Sequence, residues 1–238
     1  TRGGCVMTTT RTAVFFDMDG VTVQTATLWK QIETEHVLPG ATSGEVNPAL
    51  IRGRSINDAY DRLIDAPEVT VTVDRLRFQQ LYHRWADEVY GEKATLLSGY
   101  HDLLERLTRN GITTGLVSAS PREWVQLVLS RFELEQAYDT VVTASDINDV
   151  AKPNPHIYER AASDVDVSPD ESIAVEDSRH GIQAATDAGM YCIAFRGQGN
   201  ADADLGSADE VVDTTDALQT SVVSLLNLSD ATPEIEKS

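Results

Sequence analysis

Short apolar runs that break into polar residues recur along the chain. The first, Ala13 to Phe16, leads directly into Asp17-Met18-Asp19-Gly20, which predicts a buried strand that ends in a polar turn. Three later runs share this pattern and two more apolar segments follow them. Strands are therefore also predicted at 112–117, 140–143, 172–175, 191–195 and 211–212.

Helical patterns separate these strands. Residues Tyr100 to Arg109 carry apolar side chains at helical spacing and are followed by Asn110-Gly111, a typical helix stop. Another helix is predicted to begin with Ser120 as N-cap and Pro121 as its first residue, and the last helix is predicted from Thr215 to Leu228. Strands that alternate with helices predict an α/β fold with a Rossmann-like, doubly wound parallel sheet as its core.

One long segment interrupts this alternation. Residues 24–97 have helix-like periodicity and no convincing strand, so they are predicted to form a small all-α cap domain inserted after the first strand. The α/β core is then discontinuous and consists of residues 11–23 and 98–228. The two ends, 1–10 and 229–238, are expected to be flexible tails.

Polar side chains lie where several predicted strands end. Asp17, Ser118 and Asp177 each stand at the end of an apolar run, and ligands of doubly wound sheets bind at the carboxyl ends of the strands. Asp17 and Asp19 flank one residue, so two carboxylates in one pocket can serve as nucleophile and proton donor. Ser118, before a helix start, offers a hydroxyl and backbone N–H groups to an anion.

Four acids in one crevice would repel one another. Asp17, Asp19, Glu176 and Asp177 are placed together by the predicted sheet, and a hard divalent cation such as Mg²⁺ would resolve their repulsion. Lys152, beside two prolines, would add positive charge against a phosphate. Taken singly, these features also have ordinary structural explanations: a polar loop, a helix cap and a solvated lysine.

The charge balance narrows the choice of partners. The chain has 19 basic and 38 acidic residues and a net charge of −19, which argues against nucleic acid or an anionic membrane as partner. Only four of the basic residues are lysines: Lys30, Lys93, Lys152 and Lys237. A lysine-poor, aspartate-rich chain of this kind is typical of halophiles.

The number of cysteines and the hydropathy of the chain bear on the cellular compartment in which the protein is expected. Two cysteines, Cys5 and Cys192, give no disulfide framework, and no apolar stretch of 18 residues is present to span a membrane. A cytoplasmic location is expected.

Four ordered segments together resemble the motifs of the haloacid dehalogenase superfamily, whose helical cap the inserted segment also resembles. The resemblance covers about residues 13 to 195 and rests on the order of the segments as much as on each one. The four segments are Phe16-Asp17-Met18-Asp19-Gly20-Val21, Val117-Ser118-Ala119-Ser120, Lys152-Pro153 and Val175-Glu176-Asp177-Ser178.

The resemblance implies a mechanism for phosphoryl transfer. Asp17 would attack phosphorus to form an aspartyl-phosphate, while Asp19 would protonate the leaving oxygen and then deprotonate the hydrolytic water. Ser118, the Ala119 N–H and Lys152 would hold the phosphoryl oxygens.

The resemblance also implies a metal site. Asp17, the main-chain carbonyl of Asp19 and Asp177 would bind Mg²⁺, with Glu176 acting directly or through water. An acid at the position of Asp19 favours the phosphotransferases over the carbon–halogen dehalogenases of the superfamily.

The cap segment favours hydrolysis over mutase activity. The stretch from Glu176 to Ala185 is similar to β-phosphoglucomutases and to phosphoglycolate-type phosphatases. Those mutases carry a histidine where this chain has Trp29, and an arginine where Gly53-Arg54-Ser55-Ile56 has isoleucine. The expected activity is a Mg²⁺-dependent phosphatase acting on a small phosphorylated metabolite, with Arg54 contacting the substrate. A β-phosphoglucomutase-type mutase and a non-catalytic protein that binds phosphate and Mg²⁺ remain the alternatives, and monomer and homodimer are both open.

Salt is expected to stabilise the folded chain. Because screening shortens the range of repulsion between its many carboxylates, the melting temperature should rise between dilute buffer and molar KCl. Differential scanning calorimetry measures it, with isosmotic sucrose as the control for cosolute exclusion. An unchanged melting temperature would contradict the halophilic interpretation.

Overall fold

Strands and helices alternate in the computed structural model, which describes residues 10–52, 54–148, 150, 152–197, 199–201 and 203–228. Most of the expected tails, 1–10 and 229–238, and Cys5 lie outside the described residues. The strands are β1 (Ala13–Asp17), β2 (Val23–Gln24), β3 (Thr42–Ser43), β4 (Thr70–Val71), β5 (Thr95–Leu96), β6 (Thr113–Ser118), β7 (Thr140–Thr143), β8 (Ser172–Glu176), β9 (Tyr191–Phe195) and β10 (Glu210–Val212).

The central sheet is parallel, and its first strand in chain order, β1, lies in the interior of the sheet. Its order in the described part of the chain is β10-β9-β8-β1-β6-β7, and every neighbouring pair in it is parallel. The chain moves outward from β1 to β6 and β7, and then returns to the other side of β1 for β8. The carboxyl end of β1 is therefore the switch point at which open α/β sheets bind ligands.

Helices cover both faces of this sheet. They are α1 (Ala26–Ile32), α2 (Leu38–Ala41), α3 (Ile56–Asp65), α4 (Arg75–Ala86), α5 (Tyr100–Arg109), α6 (Arg122–Arg131), α7 (His156–Asp164), α8 (Arg179–Asp187) and α9 (Thr215–Leu225). All five residues of β1 are buried, with Val14 and Phe16 packed towards α5, α6 and α9 and Ala13 and Phe15 towards α7 and α8. The predicted Rossmann-like α/β core is confirmed.

The inserted segment is tied to the core by two adjacent connections. Strands β2 and β5 pair antiparallel, Val23 with Leu96 and Gln24 with Thr95, so the chain leaves and re-enters the core side by side. Helices α1 to α4 follow between these connections, with π-helical turns at Glu33–Val37 and Asp87–Lys93. The boundaries of the cap at 24 and 97 stay predictions.

The cap also contains two short strands that the sequence pattern did not predict. Strands β3 and β4 pair antiparallel through Thr42 with Val71 and Ser43 with Thr70. Strands of two residues are too short to show an alternation of apolar and polar positions. The hydrophobic pattern of the segment therefore indicates only helices.

Two helix boundaries differ from the prediction by a few residues. Helix α6 has Pro121 and not Ser120 as its N-cap, because the Ser120 hydroxyl bonds elsewhere, and α9 ends at Leu225 and not at Leu228.

Within the described residues, no helix combines the length and apolar character needed to cross a bilayer.

An aromatic cluster joins the cap to the core. Trp29 of α1 stacks on Trp124 of α6 with ring centroids 5.3 Å apart, and Tyr82 and Tyr90 pack against the same indole of Trp29. The Arg131 guanidinium of α6 donates from Nη1 to the backbone oxygen of Tyr90 at 3.0 Å. The apolar interior of the cap is thus continuous with one face of the core.

Glu33 is a buried acid in the interior of the cap. The Tyr82 hydroxyl donates to its Oε1 at 3.2 Å. Burial raises the pKa of Glu33 from 4.5 to about 7, although the Tyr82 hydrogen bond and the charge of Arg52 act in the opposite direction. Because this pKa is raised in the folded state, ionisation of Glu33 destabilises the fold, with no cost below pH 4.5 and the full cost above pH 7.

Replacing Glu33 by Gln should therefore stabilise the protein in a pH-dependent way. Glu33→Gln keeps an acceptor for Tyr82 but removes the charge, so its melting temperature should exceed that of the wild type clearly at pH 8 and little at pH 5. Thermal unfolding followed by circular dichroism measures both. Glu35→Gln, at an exposed position of the same turn, is the control. Equal gains at both pH values would contradict the buried ionisation.

Candidate active site

Lys152 lies between two carboxylates at the carboxyl edge of the sheet. Its Nζ donates to Asp17 Oδ1 and to Glu176 Oε1, both at 2.6 Å, and its side chain is only 6% exposed. Asp17 is the last residue of β1 and Glu176 the last residue of the neighbouring β8. The lysine therefore connects the ends of two adjacent strands from a loop that follows β7.

Glu176 is enclosed on all sides by donors. Besides Lys152, the Tyr158 hydroxyl donates to Oε1 at 2.7 Å, while Oε2 accepts from the Asp177 N–H at 3.1 Å and from the Ser178 hydroxyl at 3.2 Å. A Cβ at Gly181 would lie 2.0 Å from this carboxylate, so only glycine allows helix α8 to begin so close to it. Both oxygens of Glu176 are engaged by protein groups, which favours a positioning role over direct metal binding.

Asp177 points towards the turn after β1. Gly20 has a φ of +85° and a Cβ there would lie 1.9 Å from Asp177 Oδ2, so the turn approaches the carboxylate as only glycine can. Asn200 donates from Nδ2 to the Asp177 backbone oxygen at 2.5 Å and fixes the loop from the other side. Oxygens of Asp17, Glu176 and Asp177 all lie within 4.8 Å of one another.

These three acids form a buried cluster with an excess of negative charge. Burial raises the pKa of Asp17 well above its ordinary value, and Glu176 and Asp19 raise it further, while Lys152 opposes them. Burial and the charges of Asp17 and Glu176 likewise raise the pKa of Asp177. One lysine does not balance the cluster, so a cation at the oxygens of Asp17 and Asp177 is electrostatically favoured.

Asp19 has a different environment from Asp17, although only one residue separates them. Hydroxyl groups surround it: Thr25 donates to Oδ1 at 2.6 Å, Tyr90 to Oδ1 at 3.0 Å and Ser120 to Oδ2 at 2.9 Å. Trp29 donates from Nε1 to the Tyr90 hydroxyl at 3.0 Å. Burial raises the pKa of Asp19, and the three hydrogen bonds reduce that rise.

A cleft of about 220 Å³ between the cap and the core reaches this site. It meets the site at Ala119 and Lys152, its other core residues belong to α6, α7 and the segment after β7, and its cap side is formed by α3 and α4. We call it the cap–core cleft; its polar lining consists of Ser55, Asn57, Gln79, His83, Glu123, Ser145 and Lys152. Ser118 is buried behind it, and its Oγ accepts from the Ser120 N–H at 3.1 Å.

Arg54 lies beside Ser55 at the cap side of this cleft. Its Nη1 donates to Asp58 Oδ2 at 2.6 Å, within an ion pair, and its side chain is 20% exposed. Its buried Nε has no hydrogen-bond partner among the described residues. Contact between Arg54 and a substrate stays a prediction.

Sequence reasoning missed several side chains that surround the predicted acids. Two of them had detectable signals: Tyr158 follows the Lys152-Pro153 segment at the start of a helix, and Ser120 lies two residues after Ser118. The others reach the site through the cap or a loop, and their spacing in the sequence does not indicate it. The missed residues are Thr25, Tyr90, Ser120, Tyr158 and Asn200.

Comparisons with known proteins show the family of this chain. A family model described as haloacid dehalogenase-like hydrolase matches residues 14–195. The YhcW protein of Bacillus subtilis (strain 168), which carries a provisional name as a phosphatase, is 32% identical over 190 residues, covering 76% of this chain and 81% of YhcW. Pyrophosphatase PpaX of Bacillus mycoides (strain KBAB4) is 28% identical over 194 residues, with coverage of 76% and 81%.

A solved structure shares the fold over nearly the whole chain. CbbY from Rhodobacter sphaeroides, crystallised in complex with phosphate, superposes with a TM-score of 0.76 at 21% identity. The match covers 92% of this chain and 100% of CbbY. The fold of this chain is therefore a known architecture.

Loss of Lys152 should destabilise the fold most where the acids are ionised. Lys152→Met leaves buried carboxylates without their cation, so the free energy of unfolding should fall by about 3–5 kcal/mol at pH 8. The loss should shrink towards pH 5, because the raised pKa values of Asp17 and Asp177 let these groups take up protons. Urea unfolding at both pH values, at constant KCl, measures the difference.

Lys93→Met is the matched control for this experiment. Lys93 is exposed and pairs with Glu88 at the surface, so its loss should change the stability little at either pH. A loss in Lys152→Met that is independent of pH would show that packing, and not charge, is what the lysine contributes.

Proposed function

The chain belongs to the haloacid dehalogenase-like hydrolases, and we propose that it is a Mg²⁺-dependent phosphatase that hydrolyses a small phosphorylated metabolite through an aspartyl-phosphate intermediate. The contrast between Asp17 and Asp19 is the observation that carries the proposal. One carboxylate lies against a buried lysine and beside two further acids, and the other lies in a ring of hydroxyl groups. Two neighbouring carboxyls in such different environments suit two different roles.

Asp17 acts as the nucleophile. Its Oδ1 is held by Lys152 at 2.6 Å, which orients the carboxylate at the end of a rigid strand and leaves Oδ2 for attack. The new bond forms between a carboxylate oxygen and phosphorus, and the bond from phosphorus to the leaving oxygen breaks with its electron pair. Lys152, the Ser118 hydroxyl and the Ala119 backbone at the cleft stabilise the charge on the phosphoryl oxygens.

Asp19 acts as the general acid and then as the general base. The raised pKa favours the protonated carboxyl, which donates its proton to the leaving oxygen. In the second half-reaction Asp19 takes a proton from the water that attacks phosphorus, and the Asp17–phosphorus bond breaks to release inorganic phosphate. The hydroxyl groups of Thr25, Ser120 and Tyr90 orient its two oxygens for both transfers.

The residues at the acidic cluster fit Mg²⁺. Hard carboxylate oxygens of Asp17 and Asp177 lie within 4.8 Å of each other, and the excess negative charge that raises their pKa values is the condition that a divalent cation relieves. Bound Mg²⁺ would supply Lewis-acid stabilisation of the phosphoryl charge. Glu176 would contribute by fixing Lys152, since both of its oxygens are engaged by protein donors.

Release of inorganic phosphate tests the proposal. In molar KCl with Mg²⁺, the wild type should release phosphate from 4-nitrophenyl phosphate and from sugar phosphates, and chelation of the metal should stop it. Asp17→Asn should lower kcat by roughly 10³-fold or more, because the nucleophile is lost. Asp187→Asn, an exposed acid that accepts from Gln183, should leave the rate unchanged.

The same assays identify the alternatives. Asp19→Asn should slow the alkyl phosphates more than 4-nitrophenyl phosphate, whose leaving group needs no proton. Interconversion of glucose 1-phosphate and glucose 6-phosphate without phosphate release would establish a mutase. A folded protein that turns over none of these compounds would be a binding protein, and the proposed activity would be rejected.

A further inference from the structure

We propose that the substrate is a phosphate monoester of a neutral, polyhydroxylated compound of the sugar or cyclitol class, and that its hydroxyl groups bind to Asn57 and Gln79 of the cap. This inference rests on the proposed phosphatase activity and names the substrate class for the same site. It follows from the charge, the hydrogen-bonding groups and the size of the cap–core cleft.

The described lining of the cleft offers one cationic side chain, which can bind one anionic group of the substrate. Among the described residues that line it, Lys152 is the sole lysine or arginine, and this cation is already held by Asp17 and Glu176 at the phosphoryl position. Glu123 adds a negative charge at the core side. A second phosphate or a carboxylate in the substrate would be desolvated here without a cation, which disfavours binding.

Nearby arginine in the cap does not change this balance. Arg54 precedes the cleft residue Ser55, but its guanidinium forms an ion pair with Asp58 at 2.6 Å. Asp58 is shared, since its Oδ1 also lies 3.8 Å from Arg62 Nε, but neither arginine is among the described residues that line the cleft.

Two amide side chains supply matched groups for hydroxyls. Gln79 donates from Nε2 to Asn57 Oδ1 at 2.9 Å, so that α4 and α3 are joined across the cap side of the cleft. This bond leaves the Asn57 Nδ2 donor and the Gln79 Oε1 acceptor available, with no protein group bonded to either in the described chain. A hydroxyl group both donates and accepts, so adjacent hydroxyls satisfy this pair where an anion would satisfy the donor alone.

His83 also offers a hydrogen-bond donor to the cleft. The indole N–H of Trp124 donates to His83 Nδ1 at 3.1 Å. Because an indole nitrogen only donates, Nδ1 must accept, and the imidazole proton is placed on Nε2. In this arrangement Nε2 presents a further donor suited to a hydroxyl or ether oxygen.

The dimensions of the cleft agree with a compound of about one ring. Its volume of about 220 Å³ is below the roughly 300–1,000 Å³ of sites for drug-sized ligands. Ile56 and Ile147 supply apolar surface on opposite sides, against which the C–H faces of a sugar or cyclitol ring can pack. The cleft thus combines apolar walls with the amide groups of Asn57 and Gln79.

Steady-state kinetics with single compounds test the inference. In molar KCl with Mg²⁺, kcat/KM should be at least about tenfold higher for glucose 6-phosphate and sorbitol 6-phosphate than for fructose 1,6-bisphosphate, pyrophosphate and phosphoglycolate. Gln79→Ala and Asn57→Ala should each raise KM for the preferred compound roughly three- to tenfold, with a smaller change in kcat. Gln80→Ala, on the exposed side of the same helix, should not.

A variant that adds a positive charge to the cleft provides the complementary measurement. Gln79→Lys places a cation in the cleft, so it should lower KM for fructose 1,6-bisphosphate and raise it for sorbitol 6-phosphate, with the hydrolysis of 4-nitrophenyl phosphate as the common reference. A preference of the wild type for the bisphosphate, pyrophosphate or phosphoglycolate would overturn the inference while leaving the phosphatase activity established. Failure to hydrolyse any compound, including 4-nitrophenyl phosphate, would instead reject the activity on which the inference rests.

Discussion

The contact of one buried lysine with two carboxylates organises the site. Lys152 donates to Asp17 and Glu176 from a position that is almost closed to solvent. Burial alone would lower the pKa of Lys152, but the charges of Asp17 and Glu176 and its hydrogen bonds to them raise it above the ordinary value, so it remains charged. Buried ion pairs persist only when the remaining polar atoms are also bonded, and Tyr158 meets that condition for Glu176. The ends of β1 and β8 can therefore both carry acids inside the protein.

Much of the core and of the candidate site follows from the sequence, because both depend on regular geometry. Apolar runs that end in acids predict buried strands, and a parallel sheet brings the ends of such strands to one edge. Asp17, Ser118 and Asp177 were placed together on this basis, and the structure has them at or just after the carboxyl ends of β1, β6 and β8. Their separation along the chain does not matter, since the topology supplies the contact.

The surroundings of Asp19 could not be predicted in this way. Tyr90 lies 71 positions further along the chain and reaches Asp19 from a π-helical turn of the cap, for which the sequence has no periodic signal. The aromatic pattern favoured an interior role for Trp29 and Tyr90, and their rings do pack in the interior. The polar atoms of the same rings form the chain of bonds to Asp19, because an aromatic side chain can bury its ring and still present a donor.

The pairing of β2 with β5 has a consequence for how the chain tolerates change. Both ends of the segment between them are fixed by the same two-residue ladder, so for the core this segment is a single loop that closes at adjacent points. The entropy of closing a loop grows only with the logarithm of its length, and each doubling costs about 0.6 kcal/mol. A change in the length of this segment therefore costs the core little closure entropy, as long as the contacts of Trp29 with Trp124 and of Tyr90 with Arg131 are kept. The helices that line the cap side of the cleft can diverge while the sheet that carries Asp17 stays as it is.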